Sequence, residues 1–164
     1  MAKKSKQAAN GPSDGTKLAV GNRRARFDYH LDDRYEAGIV LTGTEVKTLR
    51  GGKGSLNEAW VKVEPGGEAW LMQAHIPEYP YGNRHNHDPV RPRKLLLHRR
   101  QLDQLAHVVG AKGVTLVPLR LYFRDGLAKL EFAVGRGKNV ADKRQTAKER
   151  DAKREMERAM KQRR

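Results

Sequence analysis

The chain has 164 residues, no cysteine and a formal net charge of +15. It is about one domain in length and cannot carry a disulfide framework, a thiolate zinc site or a cysteine nucleophile. Lys and Arg outnumber acids seven to one in residues 1–26 and twelve to five in residues 136–164, but only fifteen to thirteen between, so the charge divides as +6, +2 and +7. A near-neutral centre with two cationic arms is the layout of a protein that grips a polyanion, because each Lys or Arg that neutralises a phosphate releases a condensed counterion.

The basic start Met1-Ala2-Lys3-Lys4 has no apolar run behind it, unlike a secretory signal. No stretch approaches the roughly 20 apolar residues of a membrane span, and neither arm has the bulky apolar face of a membrane-surface helix. A soluble, cytoplasmic protein without membrane association is expected.

Residues 1–21 are rich in Lys, Ala, Gly and Ser and read as a disordered basic arm. Residues 22–135 read as the folded domain. Tyr29-His30-Leu31 and Gly38-Ile39-Val40-Leu41 have strand character. Thr42 and Glu45 are spaced as a capping box, and Gly51-Gly52 closes the short helix they begin. Pro65-Gly66-Gly67 separates two apolar runs as a hairpin turn does. Residues 76–92 hold four prolines and form a loop. Leu95-Leu96-Leu97 reads as a short strand, with Leu95 and Leu97 on one face and Leu96 on the other. Leu102, Leu105, Ala106 and Val109 recur at helical spacing before Gly110. Val114–Phe123 and Leu127–Val134 flank Asp125-Gly126, a type I′ hairpin signal, and Pro118 requires a sheet edge or a bulge. About six short strands without strand–helix alternation exclude a parallel sheet. The expected fold is mainly β: a small closed antiparallel barrel like the oligonucleotide-binding folds, with two or three peripheral helices.

Residues 136–164 form a second basic arm of different character. From Asp142 it lacks Gly and Pro and is rich in helix formers. Glu149–Lys153 and Glu157–Lys161 are i,i+4 pairs worth about 0.2–0.5 kcal/mol each. An isolated helix of this length is marginal in water, so the tail is expected to be disordered alone and helical once bound to RNA phosphates.

His85-Asn86-His87-Asp88 could ligate a metal, and a metal-dependent RNA-processing enzyme is the competing reading. The flanking Arg84, Arg91, Arg93 and Lys94 suit a phosphate surface better. Gly52-Lys53 and Gly137-Lys138 lack the preceding glycine of a phosphate-binding P-loop. No metal, cofactor or catalytic residue is expected. A permanent structural component of the ribosome is a third reading.

The segment Tyr35-Glu36-Ala37-Gly38-Ile39-Val40-Leu41-Thr42-Gly43-Thr44-Glu45-Val46-Lys47-Thr48-Leu49-Arg50 resembles the signature of the bacterial small protein B family, also called SsrA-binding proteins. The resemblance extends to Asn22-Arg23-Arg24-Ala25-Arg26, Gly82-Asn83-Arg84 with Asn86-His87-Asp88-Pro89, Arg93-Lys94-Leu95-Leu96-Leu97, Thr115-Leu116-Val117-Pro118-Leu119, Gly137-Lys138 and Asp142-Lys143-Arg144. It covers roughly residues 20–160. It implies a monomeric, non-enzymatic RNA-binding factor. Such a factor holds the tRNA-like part of transfer-messenger RNA and brings it to stalled ribosomes, at the decoding region and message channel of the small subunit.

The family's RNA surface carries over to Asn22, Glu36 and Leu96. Arg23, Arg24, Arg26, Arg84, Arg93 and Lys94 are the expected phosphate ligands. Glu36 is expected to accept from a base amino group or to orient a neighbouring arginine such as Arg24. The resemblance assigns ribosome contacts to Arg136, Lys138, Asp142, Lys143, Arg144, Lys148, Arg150, Lys153 and Arg154. Many family members carry an aromatic residue or His before the Asp-Lys-Arg triplet. Here Ala141 stands there, and Asn139 replaces a frequent basic residue, so a stacking role does not carry over.

Overall fold

In the computed structural model, which describes residues 15–162, Asp125 and Gly126 adopt φ of 51° and 77°. These left-handed values are what a type I′ turn requires. The turn joins β6 (Val114–Arg124) to β7 (Leu127–Gly137) as an antiparallel pair. The other elements, in chain order, are β1 (Thr16–Gly21), α1 (Ala25–Asp28), β2 (Tyr29–Ile39), α2 (Gly43–Arg50), β3 (Trp60–Val63), β4 (Ala69–Met72), β5 (Arg93–Leu96) and α3 (Arg99–Val109), with α4 (Val140–Gln162) last.

All seven strands pair antiparallel in one sheet, and the pairings β6–β3–β4–β5–β2–β7–β6 return to their starting strand. β1 is added outside this circuit, against β6. Pro118 lies in a strand paired on both sides, and the register of β6 against β7 shifts between Pro118 and Arg120. The bulge accommodates the missing N–H. Leu71, Leu105, Leu130 and Phe132 are wholly buried inside, with Leu49, Leu56, Ile76 and Leu116. Each large side chain there contributes about 1.5–3 kcal/mol by leaving water. Gly135 permits a close crossing: a Cβ there would stand 2.8 Å from Val117 Cγ2.

Thr42 and Glu45 form the expected capping box, with Glu45 Oε2 accepting from the Thr42 N–H at 2.8 Å. The Pro65-Gly66-Gly67 hairpin also forms, and Glu64 N–H donates to Glu68 O at 2.7 Å. Tyr29-His30-Leu31 and Gly38-Ile39 lie in a single strand, β2, with a bulge between Leu31 and Arg34, while Val40 and Leu41 lie beyond its end.

Two segments depart from the expected boundaries. Of the amino-terminal arm, residues 1–14 lie outside the described residues, while Thr16–Gly21 is strand β1. Pairing with β6 supplies the backbone partners that composition does not reveal. β7 continues through Arg136 and Gly137, whose partners on β2 are His30 and Tyr29, so the first two residues assigned to the tail belong to the sheet. α4 is an exposed helix beyond them. The loop of residues 76–92 is held at three points. Asn86 exchanges two hydrogen bonds with the backbone of Tyr79. His87 bridges Thr44 and Ile76, and Arg91 binds Glu45.

Candidate nucleic-acid interface

Asn22 uses its whole side chain to fix the start of α1. Its Oδ1 accepts from the N–H groups of Arg24 and Ala25, both at 3.2 Å. Its amide donates to Leu56 O at 3.3 Å and Pro118 O at 3.0 Å. These four bonds match an asparagine's full capacity. Asn22 therefore sets the direction in which the arginines around α1 point. Arg23, Arg24 and Arg26 are all exposed.

Arg23 and Arg26 line an open groove of about 600 Å³ together with Arg34, Arg120 and Glu131. Arg26 and Arg34 continue into a neighbouring hollow with Tyr29, His30 and Lys138. The groove's one carboxylate is already shared, since Glu131 binds Arg34 at 3.2 Å and also Arg120. What remains is a surface with four guanidinium groups, fixed in part by pairing across strands. Such planar, multi-donor groups are suited to phosphate oxygens.

Next to the groove, Glu36 accepts from the Tyr122 hydroxyl and from Arg124 Nη1. Its arginine partner is thus Arg124, not Arg24. Tyr122 is 2% exposed under the guanidinium groups of Arg120 and Arg124, which lie 5.1 and 5.5 Å from its ring centroid. Burial, and then the Glu36 carboxylate, push the Tyr122 phenol above its ordinary pKa, so it remains a neutral donor. Arg34, Arg120, Arg124 and Tyr122 were missed in the sequence. The available signal was the order Arg120-Leu121-Tyr122-Phe123-Arg124, with basic and aromatic residues alternating with apolar ones along a strand.

One expected phosphate ligand is misassigned. Arg93 is wholly buried. Its Nε donates to Glu45 Oε1 at 2.8 Å, and its other nitrogens donate to the carbonyls of Ala74, Pro89 and Arg91. Burial pushes the Arg93 pKa down, and Glu45 opposes that shift. The alternation that puts Leu95 inside puts Arg93 inside too, two residues earlier on β5. The remaining predicted residues are at the surface. Leu96 is 56% exposed and lies over Gly38 of β2. Lys94 is half-exposed and paired with Glu68 at 2.7 Å. Arg84 is exposed on a 3-10 turn, in a hollow that shares no residue with the arginine groove.

His87 is 6% exposed. Its Nε2 donates to Ile76 O at 2.9 Å, and its Nδ1 meets the Thr44 hydroxyl at 2.9 Å. The ring ties the loop to α2, and both nitrogens are engaged. Among the described residues, no group of three His, Asp or Glu side chains is placed to hold a metal ion.

The root of α4 rests on α1 and the start of β2. Lys138 N–H donates to Asp28 O and its Nζ to Arg26 O, both at 2.9 Å. Asp142 N–H donates to Asn139 Oδ1 at 2.9 Å, while its carboxylate meets His30 at 3.3 Å. Lys143 pairs with Asp28 at 3.2 Å, and Arg150 lies over the Phe27 ring at 5.7 Å. Arg136 is exposed and 3.7 Å from Asp32. Arg144, Lys148, Lys153 and Arg154 are exposed on the helix.

A mainly antiparallel β protein with an arginine-lined groove and a basic terminal helix is, by class, a protein with a polyanion-binding surface. Residues 19–162 match the model of the SmpB protein family, and the chain belongs to that family. It is 54% identical over 164 residues to an SsrA-binding protein of Thermobifida fusca, covering all of both chains. It is 56% identical over 146 residues to one of Acidothermus cellulolyticus, covering 89% of this chain and 91% of that one. A solved structure described as "tmRNA-SmpB: a journey to the center of the bacterial ribosome" contains a chain 47% identical to this one. It aligns with a TM-score of 0.64 over 74% of this chain and 85% of its own.

Proposed function

We propose that this protein binds the tRNA-like part of transfer-messenger RNA and delivers it to stalled ribosomes, so that incomplete proteins are tagged and the ribosomes released. The observation that carries this is the arginine groove of Arg23, Arg26, Arg34 and Arg120 in a chain of the SmpB family. Its relatives are SsrA-binding proteins.

In this reading the circuit of strand pairs is a small closed barrel of the oligonucleotide-binding type, serving as a rigid support. Arg23, Arg24, Arg26, Arg34 and Arg120 take phosphates. Glu36 holds Arg124 and Tyr122 in place, and Leu96 offers an apolar contact to the RNA. Asn22 positions α1 instead of contacting a base. The exposed face of α4 enters the empty message channel. The factor works as a monomer in the cytoplasm and catalyses no reaction. Among the described residues no helix is long and apolar enough to cross a membrane.

The test is filter binding of the full chain to a transcript of the tRNA-like part over a range of salt, with a plain hairpin RNA as control. Tight, salt-dependent binding that favours the tRNA-like transcript is expected. Equal affinity for both RNAs would sink the proposal.

A further inference from the structure

Asp28 lies between the RNA-facing arginines and the tail. α1 has four residues, and its two ends do different work. Arg26, with Arg23 just before the helix, faces the groove. Phe27 and Asp28 hold the root of α4. The Asp28 carboxylate reaches cations on both sides: Arg24 at 3.7 Å and Lys143 at 3.2 Å. Arg24 is 64% exposed and free to turn toward a ligand, whereas Asp28 is 25% exposed and Lys143 is 38% exposed.

We propose that Asp28 is a positioning residue that couples RNA held by Arg24, which lies beside the arginine groove in a hollow it shares with Asp28, to docking of the tail root on α1. The coupling is positive, for two reasons. With Lys143 docked, the Asp28 charge is neutralised, and a phosphate approaching Arg24 meets no bare carboxylate beside it. Conversely, a phosphate that draws Arg24 away leaves Lys143 as the cation Asp28 holds. Linkage makes the effect reciprocal: RNA tightens the docked tail by the factor by which the docked tail tightens RNA. The consequence is a tail whose first two turns have a fixed direction when RNA is bound, with the exposed turns from Asp151 onward presented to the next partner. The inference rests on the RNA-binding reading of the arginines around α1.

A double-mutant cycle on the full chain tests it, using the tRNA-like transcript as probe. Lys143→Gln should weaken binding about threefold more in the unaltered background than in Asp28→Asn, the scale of an exposed ion pair. Lys143→Arg should bind as the unaltered chain does. Hydrogen exchange should show the amides of residues 138–147 more protected with RNA than without, and that gain should shrink in Asp28→Asn. Equal losses for Lys143→Gln in both backgrounds would mean that Lys143 acts only as a distant charge, and would overturn the proposal. So would exchange that RNA leaves unchanged. If the unaltered chain fails to bind the transcript, the groove reading falls and the coupling with it. Faster exchange of residues 138–147 in Asp28→Asn without RNA would then assign that failure to the RNA step, not to the Asp28–Lys143 pair.

Discussion

Glu45 and Arg93 meet at 2.8 Å with neither side chain exposed, and the same carboxylate caps α2 through Thr42 and takes two bonds from Arg91. One residue thereby ties together a helix start, strand β5 and the end of the loop of residues 76–92. A buried pair of this kind adds little over an apolar pair of the same shape, but losing one partner strands the other charge. Glu45→Gln should therefore lower stability by about 3 kcal/mol, measured as a shift of the urea midpoint at unchanged slope. A change below about 1 kcal/mol would mean that water reaches Arg93.

The same site gives a pH dependence. Burial raises the Glu45 pKa, but the Arg91 hydrogen bond, the Thr42 N–H and the Arg93 charge outweigh it, and the carboxyl lies below its ordinary value of 4.5. A depressed folded-state pKa contributes stability that is complete above the unfolded value and is lost as pH falls through the folded one. Unfolding free energy should therefore fall as pH drops below about 4.5, and Glu45→Gln should show a shallower fall. Parallel profiles for the two proteins would rule Glu45 out as the titrating group.

The groove arginines should act separately on RNA. Arg26→Ala and Arg34→Ala should each weaken binding and reduce the salt slope of log K by about one unit. Arg84→Ala should do the same if its separate hollow also meets phosphate. A slope unchanged in all three would return these side chains to ordinary solvated surface.

Leu96→Ala should separate RNA contact from folding. The side chain is 56% exposed, so truncation should lower stability by less than about 1 kcal/mol. RNA affinity should fall several-fold through lost apolar contact. A large loss of stability with unchanged affinity would make Leu96 a cover for Gly38 alone.

Cutting the chain after Asn139 should leave a cooperative thermal transition, because β7 and its partners end before that point. Binding to isolated RNA should drop modestly, through attraction that salt screens, and rescue of stalled ribosomes should be lost. Glu149→Pro should also abolish rescue, since proline in a helix interior is unfavourable by about 3 kcal/mol while this substitution raises the positive charge. Normal rescue by the proline variant would mean that charge suffices and the helix is dispensable.

By itself, the sequence determined whatever depends on residues within a few positions of one another. The capping box at Thr42 and Glu45, the Asp125-Gly126 turn, the Pro65-Gly66-Gly67 hairpin and the need for an edge or a bulge at Pro118 are all legible, because their physical cause is local backbone geometry; that Pro118 takes the bulge is decided by the pairing of β6 on both sides. The family motifs and the split of charge between the arms pointed to RNA on the same footing. The tertiary structure alone decided which charges are available. Arg93 looks like its neighbour Lys94 in the sequence, but its partner Glu45 is 48 positions away, and only folding shows that the pair is buried. The groove likewise gathers Arg23 and Arg26 around α1, Arg34 from β2 and Arg120 from β6, brought together by strand register. Asp28 acquires its role at the tail only because β7 returns the chain to α1. Long-range pairing sorts identical charges into structural and available ones, since burial in a low-dielectric interior demands a partner and exposure does not.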